Sequence, residues 1–238
     1  MYWVWISLGV VALAAVYGSF VWYMVYRSIE LSKPLIAEAR AYEQQTPSSS
    51  KRILIAGDST GVGVGTTDNK TSIAGRIGSE FKDTNIINIS VSGSKLADLE
   101  KALNNTNGTD FTFVLLQIGA NDITGRTSYE DIRSTLSHVL TKADSLSNKV
   151  MVMTAGNVGL SPAFRWPLSE YITHRTRKVR EIFIEEVAKH PNASYVDLFK
   201  ERKDEIFNTD IPRYYAPDHF HPSGEGYGVW FEQLKKKL

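Results

Sequence analysis

Five short apolar runs, separated by longer stretches of helical periodicity, constrain this chain more than any other feature. They are Arg52 to Ala56 (RILIA), Ile86 to Val91 (IINISV), Phe111 to Ile118, Lys149 to Ala155 (KVMVMTA) and Ala193 to Leu198 (ASYVDL). Helical stretches fall at about 71–82, 95–104, 128–146 and 169–190. A last one, about 223–236, ends in Lys235-Lys236-Lys237, the favourable sign for a helix C-terminus. Strand–helix alternation predicts an α/β fold: three layers, with helices on both faces of a parallel sheet. Right-handed crossovers favour the flavodoxin-like strand order 2-1-3-4-5. Ligands then bind beyond the carboxyl ends of the strands, where the order reverses. The loops after Ala56, Val91 and Ile118 are expected to meet there.

The N-terminal part obeys different rules. Residues 1 to 26 (MYWVWISLGVVALAAVYGSFVWYMVY) carry no charged side chain. An apolar run longer than about 20 residues can span a bilayer as a helix. Trp3, Trp5, Trp22, Tyr23 and Tyr26 crowd its two ends, as an aromatic belt does. A secretory signal would have a basic start and a shorter apolar stretch. The expected organisation is a transmembrane helix over 1–27, a juxtamembrane helix and linker over 28–50, and a globular domain over 51–238. The juxtamembrane helix is expected over 34–45, with Pro34 in its first turn, and "TPSSS" (46–50) is the polar linker. Arg27, Lys33 and Arg40 follow the span, which by the positive-inside rule puts the domain in the cytoplasm.

Composition removes several function classes. A formal net charge of +1 gives no sign of a nucleic-acid partner. With no cysteine, there can be no disulfide, thiolate metal site or cysteine nucleophile.

The first of the three loops reads Gly57-Asp58-Ser59-Thr60-Gly61-Val62-Gly63-Val64-Gly65. It fits neither a P-loop nor a dinucleotide loop: no Gly-Lys-Ser/Thr follows Gly57, and Gly-x-Gly-x-x-Gly fails at Thr66. No nucleotide or other cofactor is expected. Gly57-Asp58-Ser59-Thr60-Gly61 does spell Gly-x-Ser-x-Gly, which exposes a serine hydroxyl on a sharp turn. Taken alone, the motif is outweighed by the simpler reading that Ser59 caps the next helix.

A serine nucleophile needs a base. Of five histidines, His138 lies off the apolar stripe of its helix, His174 sits among Arg175, Arg177 and Lys178 on a polar face, and His190 ends a helix. That leaves "APDHFHPSGEGYGVW", residues 216 to 230, with Asp218, His219 and His221. Three-residue spacing in a turn lets the Asp218 carboxylate reach the His221 imidazole, the orienting role in a triad. Metal binding by both histidines would need further ligands, and none lies near in sequence. A purely structural loop is the remaining alternative. Negative charge developing on a carbonyl oxygen also needs preorganised donors. The Ser59 and Gly93 N–H groups and the Asn121 side chain fall on the three converging loops. Asp122 is expected to hold its turn through backbone N–H groups.

The chain resembles the SGNH, or GDSL-like, hydrolases. The blocks that carry the resemblance come in order: Gly57-Asp58-Ser59, Gly93, Gly119-x-Asn121-Asp122, and Asp218-x-x-His221-Pro222. It covers roughly residues 51 to 236. It implies ester hydrolysis through an acyl-enzyme, with Ser59 as nucleophile, His221 as base, Asp218 orienting it, and Gly93 and Asn121 stabilising the oxyanion. Thr60 departs from the family's usual Leu. The α/β-hydrolases fit less well, because their nucleophile follows a mid-sheet strand and their acid and histidine lie on separate loops. Members with an N-terminal hydrophobic segment are often exported, which tips the expected location towards an extracytoplasmic domain on a single-pass anchor. Expected substrates are small-molecule, lipid or glycan esters: an esterase or lipase, with an O-acetyl esterase, a thioesterase or a lysophospholipase as variants. A membrane-tethered binding module is the non-enzymatic alternative. Residues 156–171 form a long loop after the fourth strand. Its Phe164 and Trp166, with Tyr215 before the histidine loop, are candidate substrate contacts.

Overall fold

The computed structural model describes residues 2–238. A parallel sheet of five strands has the order β2-β1-β3-β4-β5. The strands are β1 (Arg52–Gly57), β2 (Asn85–Asn88), β3 (Phe113–Gln117), β4 (Val150–Met153) and β5 (Ala193–Val196). All four pairings are parallel, with Ile53 opposite both Ile86 and Phe113. The expected class and strand order are both observed.

Alternate side chains of each strand enter opposite layers. Leu54, Ala56, Val114, Leu116, Val150 and Val152 face one layer. It is closed by α4 (Leu96–Asn104), α6 (Tyr129–Leu146) and α7 (Leu168–Val187). Ile53, Ile55, Phe113, Leu115, Met151 and Met153 face the other. There α3 (Ile73–Glu80) and α9 (Gly224–Lys235) supply Ile73, Ile77, Tyr227 and Phe231. A single turn, α8 (Ile211–Tyr214), precedes the histidine loop. Burial on both faces is why the strands read as continuous apolar runs rather than alternating ones. Serine side chains cap α3, α6 and α9 at Ser72, Ser128 and Ser223.

The N-terminal segment differs from the expectation of two helices. One helix, α1 (Tyr2–Glu38), runs uninterrupted through Pro34. No helix covers 39–45. Instead Gln44 pairs with Ile86, and its side-chain amide donates to the carbonyls of Phe81, Lys82 and Thr84. The segment thereby covers the β2 edge, whose unpaired backbone groups need partners. Tertiary contacts decide the outcome at both places. Ser28 and Ser32 of α1 dock on the loop around Asp218, and strand pairing outweighs the helical propensity of 39–45.

Candidate active site

The first loop leaves β1 at Gly57. The Asp58 N–H donates to the Gln117 carbonyl at 2.9 Å, tying the loop to β3. A short helix, α2 (Ser59–Val62), follows. Its cap is Asp58, whose Oδ1 accepts from the Thr60 N–H and hydroxyl, both at 2.8 Å. Ser59 is therefore not the cap, and its hydroxyl is free for another partner.

That partner is His221. Its Nε2 lies 2.9 Å from Ser59 Oγ, and its Nδ1 lies 2.5 Å from Asp218 Oδ2. Ser59 and His221 stand 162 positions apart in sequence. Ser59, His221 and Asp218 are 7%, 4% and 0% exposed. The loops carrying them touch closely. Gly65 has φ +99°, and a Cβ there would meet the Pro222 carbonyl oxygen at 2.3 Å. The Tyr227 hydroxyl donates to the Val64 carbonyl at 2.9 Å, pinning the first loop to α9.

Asp218 is held from several directions. Oδ1 accepts the N–H groups of Phe220 and His221, each at 3.0 Å. Oδ2 accepts from His221 and from the Ser32 hydroxyl at 2.7 Å. The Ser28 hydroxyl donates to the Asp218 carbonyl at 2.8 Å. Burial pushes the carboxyl up, but the His221 contact, the Phe220 N–H and the Ser32 hydroxyl outweigh it and hold Asp218 below the usual carboxylate range. Asp58 lacks such support. Burial pushes its carboxyl up to about 6 against the Thr60 bonds.

The other two loops bring donors to the same place. Gly93 has φ +87°, which favours glycine, and open space lies where a Cβ would be. Among the described residues, neither the Ser59 nor the Gly93 N–H is donated to another group. In α5 (Ala120–Thr124), the Asn121 amide donates one hydrogen to the Ser94 carbonyl at 3.0 Å. That bond orients the amide and links the second and third loops. Asp122 is buried, and its Oδ2 accepts the Leu96 N–H at 3.0 Å. It thus braces the neighbouring loop at the start of α4 rather than its own turn.

Two contributors lay outside the sequence reading. Arg175, expected on a polar helical face, is buried. It donates to the carbonyls of Ile123 at 3.0 Å and Thr127 at 2.8 Å, bracing α5 from behind. Ser28 and Ser32 are spaced four apart on one face of α1, a signal with many possible meanings until the Asp218 loop is beside it. Of the other histidines, His219 turns at φ 60° and serves through its backbone, its carbonyl accepting from the Ser161 hydroxyl at 2.7 Å. His138 meets Glu100 on the surface, His190 meets Asp144, and His174 is exposed. No cluster of three or more His, Cys, Asp or Glu suited to a metal occurs among the described residues.

A cleft of about 620 Å³ contains Ser59, Gly93, Asn121 and His221 in its lining. Phe164 lines it too, edge-on to Phe220 at 6.0 Å. Tyr215 lies elsewhere: it is buried, packs edge-on against Phe207, and borders a pocket of about 40 Å³ on another side of Ser59. Trp166 is apart from both. It is 65% exposed and lines a separate depression with Arg202 and Ile211. The structure thus brings Phe164 to the Ser59 cleft and leaves Trp166 out of it.

Comparison with known proteins agrees with this geometry. Residues 55–229 match the GDSL-like Lipase/Acylhydrolase family. No curated protein matches the chain by sequence. Among solved structures, a lipolytic G-D-S-L family protein from Veillonella parvula DSM 2008 is similar at TM-score 0.62 and 19% identity, covering 79% of this chain and 97% of that one. TesA is similar at TM-score 0.60 and 18% identity, covering 79% and 98%. Axe2, an acetylxylan esterase from Geobacillus stearothermophilus, is similar at TM-score 0.53 and 17% identity, covering 81% and 96%. At these identities the likeness is one of fold.

Two expectations follow. Asp58 binds its proton more tightly in the folded chain than in the unfolded one, where the carboxyl has its ordinary value of 3.8. Stability contributed by Asp58 therefore falls as pH rises from about 4 to about 6 and is flat above. At about 1.36 kcal/mol per unit the loss is at most about 3 kcal/mol. Asp58→Asn keeps an acceptor for Thr60 and removes the charge. Thermal unfolding of the detergent-solubilised chain from pH 4 to 8 should show the variant gaining on the wild type across that window. Ser32→Ala should lower the turnover number about 10- to 100-fold, as the loss of one hydrogen bond to a charged group implies. Ser32→Thr should restore it, read from steady-state kinetics on a short-chain ester.

Proposed function

Because the chain belongs to the GDSL-like lipase/acylhydrolase family, whose members hydrolyse esters, we propose that it cleaves carboxylic esters through an acyl-enzyme on Ser59. The observation that carries this reading is the unbroken relay Asp218–His221–Ser59, with contacts of 2.5 and 2.9 Å. His221 takes the Ser59 proton as Oγ attacks the carbonyl carbon. The carbonyl π electrons move to oxygen. The Ser59 and Gly93 N–H groups and the free hydrogen of the Asn121 amide receive that oxyanion. Collapse expels the alcohol, which takes the proton from His221. Water, deprotonated by His221, then attacks the acyl-enzyme, and Ser59 leaves with the proton. Asp218 stays ionised throughout and holds the imidazole in one tautomer.

The same reading makes α1 a single-pass membrane anchor. It is long and apolar enough to cross a bilayer, with a mean hydropathy of 1.9. Every residue from Trp5 to Phe20 is exposed on the protein, so this surface needs a cover. A cleaved signal is lost from the mature protein, whereas α1 continues without a break to the two serines that dock on Asp218. The catalytic domain faces the extracytoplasmic side in this reading, supported by the frequent export of family members with such a segment. Protease added to intact cells should then digest the domain, and an intact domain would reverse the orientation.

The chemistry is tested with the full chain in detergent. Ser59→Ala should lower hydrolysis of a nitrophenyl butyrate at least about 10³-fold, and Asn121→Ala about 10²-fold. A serine-directed phosphonate should label Ser59. Full activity in Ser59→Ala would refute the assignment, and neither turnover nor labelling in the wild type would favour a binding module.

A further inference from the structure

The cleft at Ser59 is not made by the catalytic domain alone. One wall belongs to α1. Gly18, Val21, Trp22, Val25, Ile29 and Ile36 line it. Their spacing of three, four and seven places them on one stripe of the helix. From Gly18 to Ile29 the stripe runs about 17 Å at roughly 1.5 Å per residue, and Ser32 and Lys33 follow it in the lining. That length exceeds one leaflet of a hydrocarbon core roughly 30 Å thick in total. The facing wall is also apolar: Phe164, Leu168, Ile172 and Phe220. At about 620 Å³ the cleft is within the roughly 300–1,000 Å³ range of ligand sites.

Two further observations fix how this wall is used. Its polar end is bolted to the reacting groups, since Ser28 and Ser32 bond Asp218, which itself bonds His221. Its apolar end leaves the domain still bare. Val21, Met24 and Val25 are half-buried, whereas the residues from Trp5 to Phe20 are exposed. Gly18, Val21, Trp22 and Val25 therefore belong both to the uncharged run and to the lining of the cleft. A chain lying along this stripe meets only apolar side chains of α1 from Gly18 to Val25, and polar groups of α1 enter the lining from Ser28 on, at the end that bonds Asp218.

Resting on the ester-hydrolase reading above, we propose that α1 is one wall of the acyl site and that the substrate is a long-chain acyl ester drawn from the bilayer along this helix. The acyl chain lies between α1 and the Phe164–Ile172 wall. The ester carbonyl is at Ser59, and the alcohol portion points away from the membrane.

The test uses the full chain reconstituted in phosphatidylcholine vesicles, with nitrophenyl acetate as the water-soluble substrate and nitrophenyl palmitate as the bilayer-borne one. Val25→Trp and Leu168→Trp fill the cleft from its two walls. Each should lower the palmitate-to-acetate rate ratio at least tenfold. Tyr23→Trp, off the stripe, should leave the ratio unchanged. An unchanged ratio in both cleft variants overturns the proposal, even with Ser59 chemistry intact. Acetate hydrolysis that survives Ser59→Ala would instead bring down the underlying reading. A measurement on the wild type guards against misfolded variants. A palmitoyl phosphonate that labels Ser59 and carries a photoreactive diazirine at its chain end should crosslink to residues 18–29 of α1. Crosslinks confined to the small pocket around Tyr215 and Trp230 would overturn the proposal.

Discussion

The site depends on how Asp218 is held. A fully buried carboxylate is tolerated only when its oxygens are satisfied. Here two backbone N–H groups take Oδ1, and an imidazole and a hydroxyl take Oδ2. The backbone pair is local to the Asp218–His221 turn, so the spacing of three makes it available. The hydroxyl comes from a helix that precedes the whole domain. The position of α1 is therefore coupled to the orientation of His221, and through it to Ser59. A helix of this kind cannot drift relative to the domain without unsatisfying a buried charge.

Much of this was legible in the sequence, for physical reasons that differ by element. The strands were readable because burial on both faces demands uninterrupted apolar runs, as in Phe113–Gln117. Their order followed from the handedness of the crossovers. The meeting of Ser59, Gly93 and Asn121 followed in turn, since three adjacent parallel strands end on one edge. His221 could be picked out because His138, His174 and His190 belong to helices or their ends, and of the two loop histidines His221, unlike His219, stands three residues from Asp218. These are local patterns or consequences of topology.

What could not be read depended on partners remote in sequence. Pro34 marks a helix start by local rules, yet α1 runs through it, and ahead of it Ser28 and Ser32 find Asp218, 186 or more residues away. Residues 39–45 look helical until β2 offers a strand edge. Arg175 looks solvated beside Arg177 and Lys178, but three carbonyls of the Asp122–Thr127 segment converge on its guanidinium. Trp166 and Phe164 are indistinguishable as candidate contacts in a loop. Only the direction of the turn sends Phe164 to the cleft and Trp166 to solvent.

The donors that meet beside Ser59 are neutral, although Lys33 and Arg126 also line the cleft. Two further carboxylates, Asp58 and Asp122, are buried in the loops that carry Ser59 and Asn121. The oxyanion of the proposed mechanism would be opposed by free carboxylates beside it. Each is instead turned to a donor of its own: Asp58 to Thr60, Asp122 to Leu96. Their negative charge is directed into the loops, where it stiffens the backbone that carries Ser59 and Asn121. Burial raises both groups all the same, so the folded state bears a cost for keeping them. That cost is the expected signature of a site whose loops are held rigid by polar bonds rather than by apolar packing. The long walls of the cleft can then be largely apolar, with Lys33 and Arg126 as the cations in the lining, because orientation is already fixed behind them.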